Sequence, residues 1–335
     1  MRILVVVSGN HGQVAPFVTE QVDAVRQAGC KTELFCVTGH GLLGYLKNLK
    51  PLRAAIHRIN PDIVHAHYGL CGLLCTLQHK VPVVVTYHGS DINNRHILPL
   101  SRLAMRRASY NIFVSKKLQK KSLDVLKSRC LDVFSSVIPC GVDTTIFHPM
   151  NREEACHIVG LEPEKHYILF AGAFDNEVKN PQLAKVAFDL FRAHLDDIIK
   201  SQSELKRTEK NAVHLLELKG YSREEVAALM NTVDCLLMTS HSEGSPQVVK
   251  EAIACGCTVV SVDVGDVRDW IEGSGYGVIV DRTPGAIAKA LSKQLENPHK
   301  SNCKEKIEQF DNRQIATKII KIYNSIITNN IRNQN

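Results

Sequence analysis

The stretch that most constrains this 335-residue chain runs from residue 233 to residue 262. Two short apolar runs, Val233 to Met238 and Thr258 to Val262, flank a helix-like segment. Runs of that length read as buried strands. Between them, Ser245 reads as an N-cap and Pro246 suits the first helical position, where its missing N–H costs nothing. Val248, Val249, Ala252 and Ile253 fall on one helical stripe, and Gly256 stops the helix. The unit is strand, loop, helix, strand, and its repetition along the chain reads as an α/β fold.

The loop at the mouth of that helix, His241 to Ser245, has a specific chemistry. Free backbone N–H groups and the positive end of the helix dipole favour an anion, typically phosphate. Gly244 lets a ligand approach the backbone. Glu243 stands just before the helix and accepts hydrogen bonds from hydroxyls. Glu251 lies about one and a half turns in, and helical side chains lean toward the N-terminus. Two carboxylates beside an anion site suit a ligand with both phosphate and hydroxyls, such as a nucleotide sugar. A capped helix with an ordinary surface Glu fits the spacing equally well. A glycosidase pair fits less well: its carboxylates stand roughly 5 to 9.5 Å apart, and eight residues along a straight helix span about 12 Å.

Elsewhere strands and helices alternate. Ile3 to Val7 is a strand, followed by Ser8-Gly9-Asn10-His11-Gly12, a helix from Pro16 to Ala28 and a strand from Thr32 to Val37. This opening resembles dinucleotide-binding folds, but Gly-x-Gly-x-x-Gly is missing, so the NAD fingerprint fails. Further strands are expected at Ile63–Ala66, Val81–Thr86, Tyr110–Val114, Tyr167–Ala171, Val213–Leu218 and Tyr276–Val280. Ser222 and Glu225 form a capping box. A polar linker is expected around Pro149 and Pro163, a helix end with a loop over Lys200 to Lys210, and a frayed tail from Asn329. His65 and His67 invite a metal reading, but no third ligand stands near them, and no Asp-x-Asp occurs.

Length and apolar content, 44% hydrophobic residues, suffice for two cores. The 11 cysteines are odd in number and lack Cys-x-x-Cys, which points to free thiols in a reducing cytoplasm. Met1-Arg2 runs straight into a strand, so no signal peptide is expected. No apolar stretch approaches the ~18 residues of a spanning helix. Residues 1–150 carry a net +10 against −3 for the remainder, which adds up to the chain's +7. Arg102, Arg106 and Arg107 on one helix and Lys116, Lys117, Lys120 and Lys121 on the next make either a solvated face or a platform on anionic lipid. Nucleic acid is disfavoured, because no aromatic stacking motif accompanies the charges.

Glu243 and Glu251, with seven residues between them and Gly244-Ser245-Pro246 after the first, resemble the Glu-x7-Glu signature of retaining glycosyltransferase family 4. His88-Gly89-Ser90-Asp91 is similar to that family's His-Gly-x-Asp loop. Ile138-Pro139-Cys140-Gly141-Val142-Asp143 is similar to its junction segment, with Cys140 for the usual Asn. The resemblance covers nearly the whole chain. It implies a GT-B fold, two Rossmann-like domains facing across a cleft. The expected domains are 1–145 on the acceptor side, 146–310 on the nucleotide-sugar side, and a C-terminal helix over 311–335 that crosses back to the first domain.

The resemblance also implies roles. Glu251 would hold the donor ribose, and Glu243 would hold hydroxyls of the transferred sugar. His88 would contact that sugar, and Lys179 would bind the donor diphosphate. Gly9 or Gly12 would give the backbone approach in the first loop, Gly244 and Ser245 the anion site, and Tyr221 the side of the nucleobase. Ala173 stands where many members carry an Arg, and Ala does not replace a bidentate cation. The implied reaction moves a sugar, with retention and without a metal or cofactor, from a nucleotide-diphospho sugar to a glycan or lipid-linked acceptor in envelope polysaccharide synthesis. The implied setting is cytoplasmic, with peripheral contact to an anionic membrane left open. Two alternatives stand: a sugar-nucleotide epimerase of the same architecture, and a non-catalytic sugar-nucleotide-binding subunit.

Overall fold

A computed structural model describes residues 1–10, 12, 14–127, 134–201, 213–296 and 307–332. The chain divides into two compact units: Met1–Gly141 with Gln309–Asn335, and Val142–Glu308.

In unit 1 the chain forms β1 (Arg2–Ser8), α1 (Pro16–Gln27), β2 (Lys31–Val37), α2 (Gly41–Leu46), α3 (Leu49–Ile59), β3 (Ile63–His67) and α4 (Gly69–Cys75). It continues through β4 (Val83–Tyr87), α5 (Ser90–Asn93), α6 (Leu98–Arg107), β5 (Tyr110–Phe113), α7 (Lys116–Lys127) and β6 (Ser135–Val137). Among the described residues these strands make one parallel sheet in the order β2-β1-β3-β4-β5-β6. Ile3 to Val7 are all buried, as a strand covered on both faces requires.

Unit 2 holds α8 (Arg152–Val159), β7 (His166–Phe170), α9 (Pro181–Ser201), β8 (Val213–Glu217), α10 (Arg223–Thr232) and β9 (Cys235–Met238). Then come α11 (Gln247–Ala254), β10 (Val259–Val262), α12 (Val267–Ile271), β11 (Gly277–Val280) and α13 (Pro284–Glu296). Its parallel sheet runs β11-β10-β9-β7-β8. Both sheets therefore wind outward from their first strand in two directions. The switch point lies between β1 and β3 in one unit and between β7 and β9 in the other, and ligands sit at the carboxyl ends of strands there.

The last helix, α14 (Asn312–Arg332), belongs to unit 1. Ile315, Ile319, Ile322 and Ile326 pack with Val18, Val22 and Val25 of α1 over one sheet face. Burying each such side chain stabilises by about 1.5–3 kcal/mol. Gly141 lies so close to α14 that a Cβ there would sit 2.3 Å from Asn312 Oδ1.

Several local expectations need correction. The stretch between Pro149 and Pro163 is not a plain linker. It carries α8, whose N-cap Asn151 accepts from the Glu153 and Glu154 amides and whose end is Gly160 at φ 67°. The helix α14 runs to Arg332, so residues 329–332 are helical and not a tail. The elements α2, β6 and α12 are too short for periodicity to reveal. The capping box at Ser222 and Glu225 is formed. The loop expected up to Lys210 falls largely in 202–212, outside the described residues.

Candidate functional site

Unit 2 gathers its charged residues at its switch point. After β7 the chain makes a 3-10 turn, Glu177–Lys179, capped by Asn176 and left through Asn180 at φ 56°. Thr239 Oγ1 donates to the carbonyls of Lys179 and Asn180 at 3.0 and 2.9 Å, and the His241 amide donates to Val178 O at 2.9 Å. The loops after β7 and β9 are thus stitched together. Arg282 adds hydrogen bonds to the carbonyls of Thr239 and Ser240. Against this frame Lys179 Nζ lies 2.7 Å from Glu243 Oε1, with both side chains mostly buried. Gly172 makes room for the lysine stem, since a Cβ there would come within 2.6 Å of Lys179 Cγ.

The helix mouth differs in detail from the sequence expectation. α11 starts at Gln247, the N-cap is Pro246 at φ −65° and ψ 118°, and no side chain caps it. Ser245 is therefore not the N-cap. It sits one residue further out, with its hydroxyl buried beside the Asp266 carboxylate. The physical reason is that proline's extended ψ already turns the chain into the helix. Gly244 is buried, and Gly265 at φ 58° packs so tightly on it that a Cβ would lie 3.1 Å from Gly244 O and Glu243 Cβ.

Glu251 is 3% exposed and pairs with Arg223, whose guanidinium lies 4.5 Å from the Phe147 ring. Burial pushes the Glu251 carboxyl up, and Arg223 and Lys250 pull it back. Lys250 is itself fully buried over Trp270. Arg223 and Lys250 were not singled out from sequence, because nothing in the spacing of Arg223 announces its partner 28 residues on. Tyr221 is 39% exposed on a turn opened by Gly220 at φ 83°.

Unit 1 assembles a different group. His88 sits on the loop after β4, which Asp91 holds: its carboxylate accepts from the amides of His88, Gly89 and Gly69 at 3.2, 2.9 and 3.1 Å. Burial still pushes Asp91 up to about 6. His88 Nε2 lies 2.9 Å from His67 Nδ1, the two rings are stacked, and Cys140 Sγ is 3.7 Å from His88 Nδ1. His65 stacks on His67 and spends its ring nitrogens on Tyr323 Oη and Thr86 Oγ1. Burial lowers His67 to about 3 and takes His65 well below the usual range. These two histidines are neutral structural rings, each hydrogen-bonded inside the unit. In the first loop, Gly9 donates its amide to Val37 O at 2.8 Å, so that group is spent on the sheet. Gly12 is exposed at φ 74°, and its neighbours His11 and Gln13 lie outside the described residues.

Two parallel-sheet α/β units with this winding define a GT-B fold, and comparison with solved structures agrees. Sucrose-phosphate synthase from Thermosynechococcus elongatus superposes with a TM-score of 0.78 at 16% identity, over 98% of this chain and 100% of that one. HepE of Anabaena, solved in complex with UDP, gives 0.73 at 17% identity, over 97% and 100%. The Glycosyltransferase Family 4 model matches residues 12–146, and the Glycosyl transferases group 1 model matches 151–313. The chain belongs to glycosyltransferase family 4. A putative teichuronic acid biosynthesis glycosyltransferase, TuaC of Bacillus subtilis, is 25% identical over 250 residues. That match covers 70% of this chain and spans 61% of the relative's length.

Proposed function

We propose that this protein is a retaining, metal-independent glycosyltransferase that takes a nucleotide-diphospho sugar and glycosylates a glycan or lipid-linked saccharide of the cell envelope. The observation that carries the proposal is the placement of Lys179, Glu243 and Glu251 around the α11 mouth at the unit 2 switch point. The diphosphate binds there, against the α11 amides and Lys179. Glu251 takes the ribose, and Glu243 takes hydroxyls of the sugar to be moved. When the glycosidic bond breaks, negative charge grows on the leaving diphosphate. Lys179 and the helix dipole stabilise that charge more than they stabilise the bound donor, which is what accelerates the step. With Ala173 earlier in the same loop, Lys179 carries that work without a second cation from that position. His88 is assigned to the transferred sugar, and unit 1 to the acceptor. HepE's complex with UDP supports the donor class, and the teichuronic acid biosynthesis role given to TuaC supports the envelope setting.

The working place we assign is the cytoplasmic face of a membrane. No helix of the described residues is long and apolar enough to cross one. Arg106, Arg107, Lys116, Lys117, Lys120 and Lys121 are exposed on α6 and α7. The helix α2 turns Tyr45 inward but leaves Leu43 77% and Leu42 42% exposed, with Lys47 and Lys50 following. Such a ledge suits shallow insertion beside anionic headgroups.

Hydrolysis of UDP-, GDP- and ADP-sugars by the purified chain, with and without added glycan acceptors, tests the activity. Turnover of at least one donor is expected, and it should fall steeply in Lys179→Ala. A chain that converts the donor's sugar to an epimer without transfer would sink the proposal.

A further inference from the structure

Unit 1 contains a cavity of about 420 Å³ at the carboxyl ends of β1, β3 and β4, within the size range of small-molecule pockets. Its walls are mostly apolar, with Val18, Leu70 and Ile97 among them, and two tyrosines, Tyr45 and Tyr68, face it. Among its described lining residues there is no Lys, Arg or His. Among those described residues the one charge is the Asp91 carboxylate, whose oxygens are already held by backbone amides.

Tyr68 is held in an unusual way. Its backbone stands at φ 73° and ψ 147°, a region that bulky residues avoid. The surroundings enforce it. The Tyr68 amide donates to Thr86 O, and its carbonyl accepts from Gly72, both at 2.9 Å. The next residue, Gly69, is pressed on Ser101, where a Cβ would fall 2.0 Å from the hydroxyl. The result is a ring that borders the cavity and packs 4.9 Å from the His88 ring. Tyr45 donates to Ser8 Oγ at 3.2 Å, which leaves the Ser8 hydroxyl proton for a ligand oxygen.

We infer that this cavity is the acceptor subsite and that it selects an uncharged sugar ring, stacked on Tyr68, over a phosphorylated or otherwise anionic one. The inference rests on the glycosyltransferase reading above and specifies its acceptor. A sugar has an apolar C–H face for an aromatic ring and hydroxyls for Ser8. An anionic substituent would be desolvated beside Asp91 with no cation from the described lining to pair with, and a buried unpaired charge is costly.

Calorimetry or saturation-transfer NMR on the full chain tests this, with methyl glycosides of glucose, galactose, mannose and N-acetylglucosamine against the corresponding free sugar 6-phosphates. At least one neutral glycoside is expected to bind, with its 6-phosphate at least tenfold weaker. Tyr68→Ala should weaken the glycoside at least tenfold, and Tyr68→Phe should stay within threefold. Leu70→Arg should reverse the order and favour the 6-phosphate. Binding of no neutral glycoside, equal or tighter binding of the phosphates, or an unchanged affinity in a folded Tyr68→Ala would overturn the inference. The rise in Tm with nucleotide sugars reads unit 2 on the same samples. If that rise is present while glycosides fail, the cavity assignment alone falls. If it is absent for every donor while glycosides bind, the glycosyltransferase reading falls.

Discussion

At the carboxyl ends of β3 and β4, unit 1 sets imidazole rings face to face: His65 on His67, and His67 on His88. At the ends of β7 and β9, unit 2 sets opposite charges against each other: Lys179 with Glu243, and Glu251 with Arg223. The two sheets share one winding, so topology does not explain the contrast. Under the proposed function, the chemistry of the two ligands accounts for it. A pyrophosphate needs fixed cations and amides, and carboxylates keep those cations in place. A neutral ring needs shape and a few hydroxyl partners, and ionised groups there would have to be desolvated. Burial has the matching effect on each side. It drives His67 to its neutral form, whereas Glu251 is pushed up by burial but pulled back by Arg223 and Lys250.

Breaking the charged side should do the most. Glu251→Ala strands the Arg223 cation, and losing one partner of a buried pair costs about 3–5 kcal/mol. We expect donor-induced stabilisation to vanish in thermal-shift assays, and Arg223→Ala to cost less than additively when combined with it. Next, Lys179→Ala removes the cation on the leaving diphosphate. Its turnover should fall on the order of 10²–10³-fold, with a smaller change in donor affinity, read from single-turnover and binding curves. An effect on affinity alone would move Lys179 out of the charge-stabilising role.

The neutral side should answer to pH instead. His67 sits near 3 in the fold, against about 6.5 in an unfolded chain. The unfolded state therefore binds the extra proton between those values, and the stability contributed by neutral His67 is lost as pH falls below about 6.5. His67→Gln escapes that penalty. Whatever it costs at pH 7.5 should shrink by about 1.4 kcal/mol per pH unit on acidification below 6.5, in urea titrations. Asp91 has the opposite sign: its folded value near 6 stabilises at low pH and loses that contribution as pH rises through 6. A cost for His67→Gln that does not change with pH would mean the ring is charged in the fold. The mildest probe is Gly172→Ala. Its Cβ would displace the Lys179 stem, so turnover should fall by less than in Lys179→Ala while Tm drops only slightly.

Much of the frame was legible before any coordinates. Short continuous apolar runs such as Ile3 to Val7 read as strands buried on both faces, and Gly29, Gly160 and Gly256 close their helices at positive φ. The helix α8 was also written in the chain, as Asn151 followed by two acidic residues and ended by Gly160, but the nearby prolines masked it. The site was legible in part. Glu243, Glu251, His88 and Lys179 stand out by motif, whereas Tyr68, Arg223 and Lys250 do not. Their importance comes from what they meet: Tyr68 from a strained backbone beside His88, Arg223 from a glutamate 28 residues away, Lys250 from full burial over Trp270.

By itself the sequence determined the order of the main strands and helices, where many of those helices stop, and which residue types stand at each strand end. Those properties depend on a few consecutive residues, whose sterics and hydrophobic period act locally. Tertiary structure decided the pairings: Lys179 with Glu243, Glu251 with Arg223, His67 with His88, and the packing of α14 on α1. Such partners lie tens to hundreds of residues apart, and only the winding of a sheet brings their side chains within bonding distance.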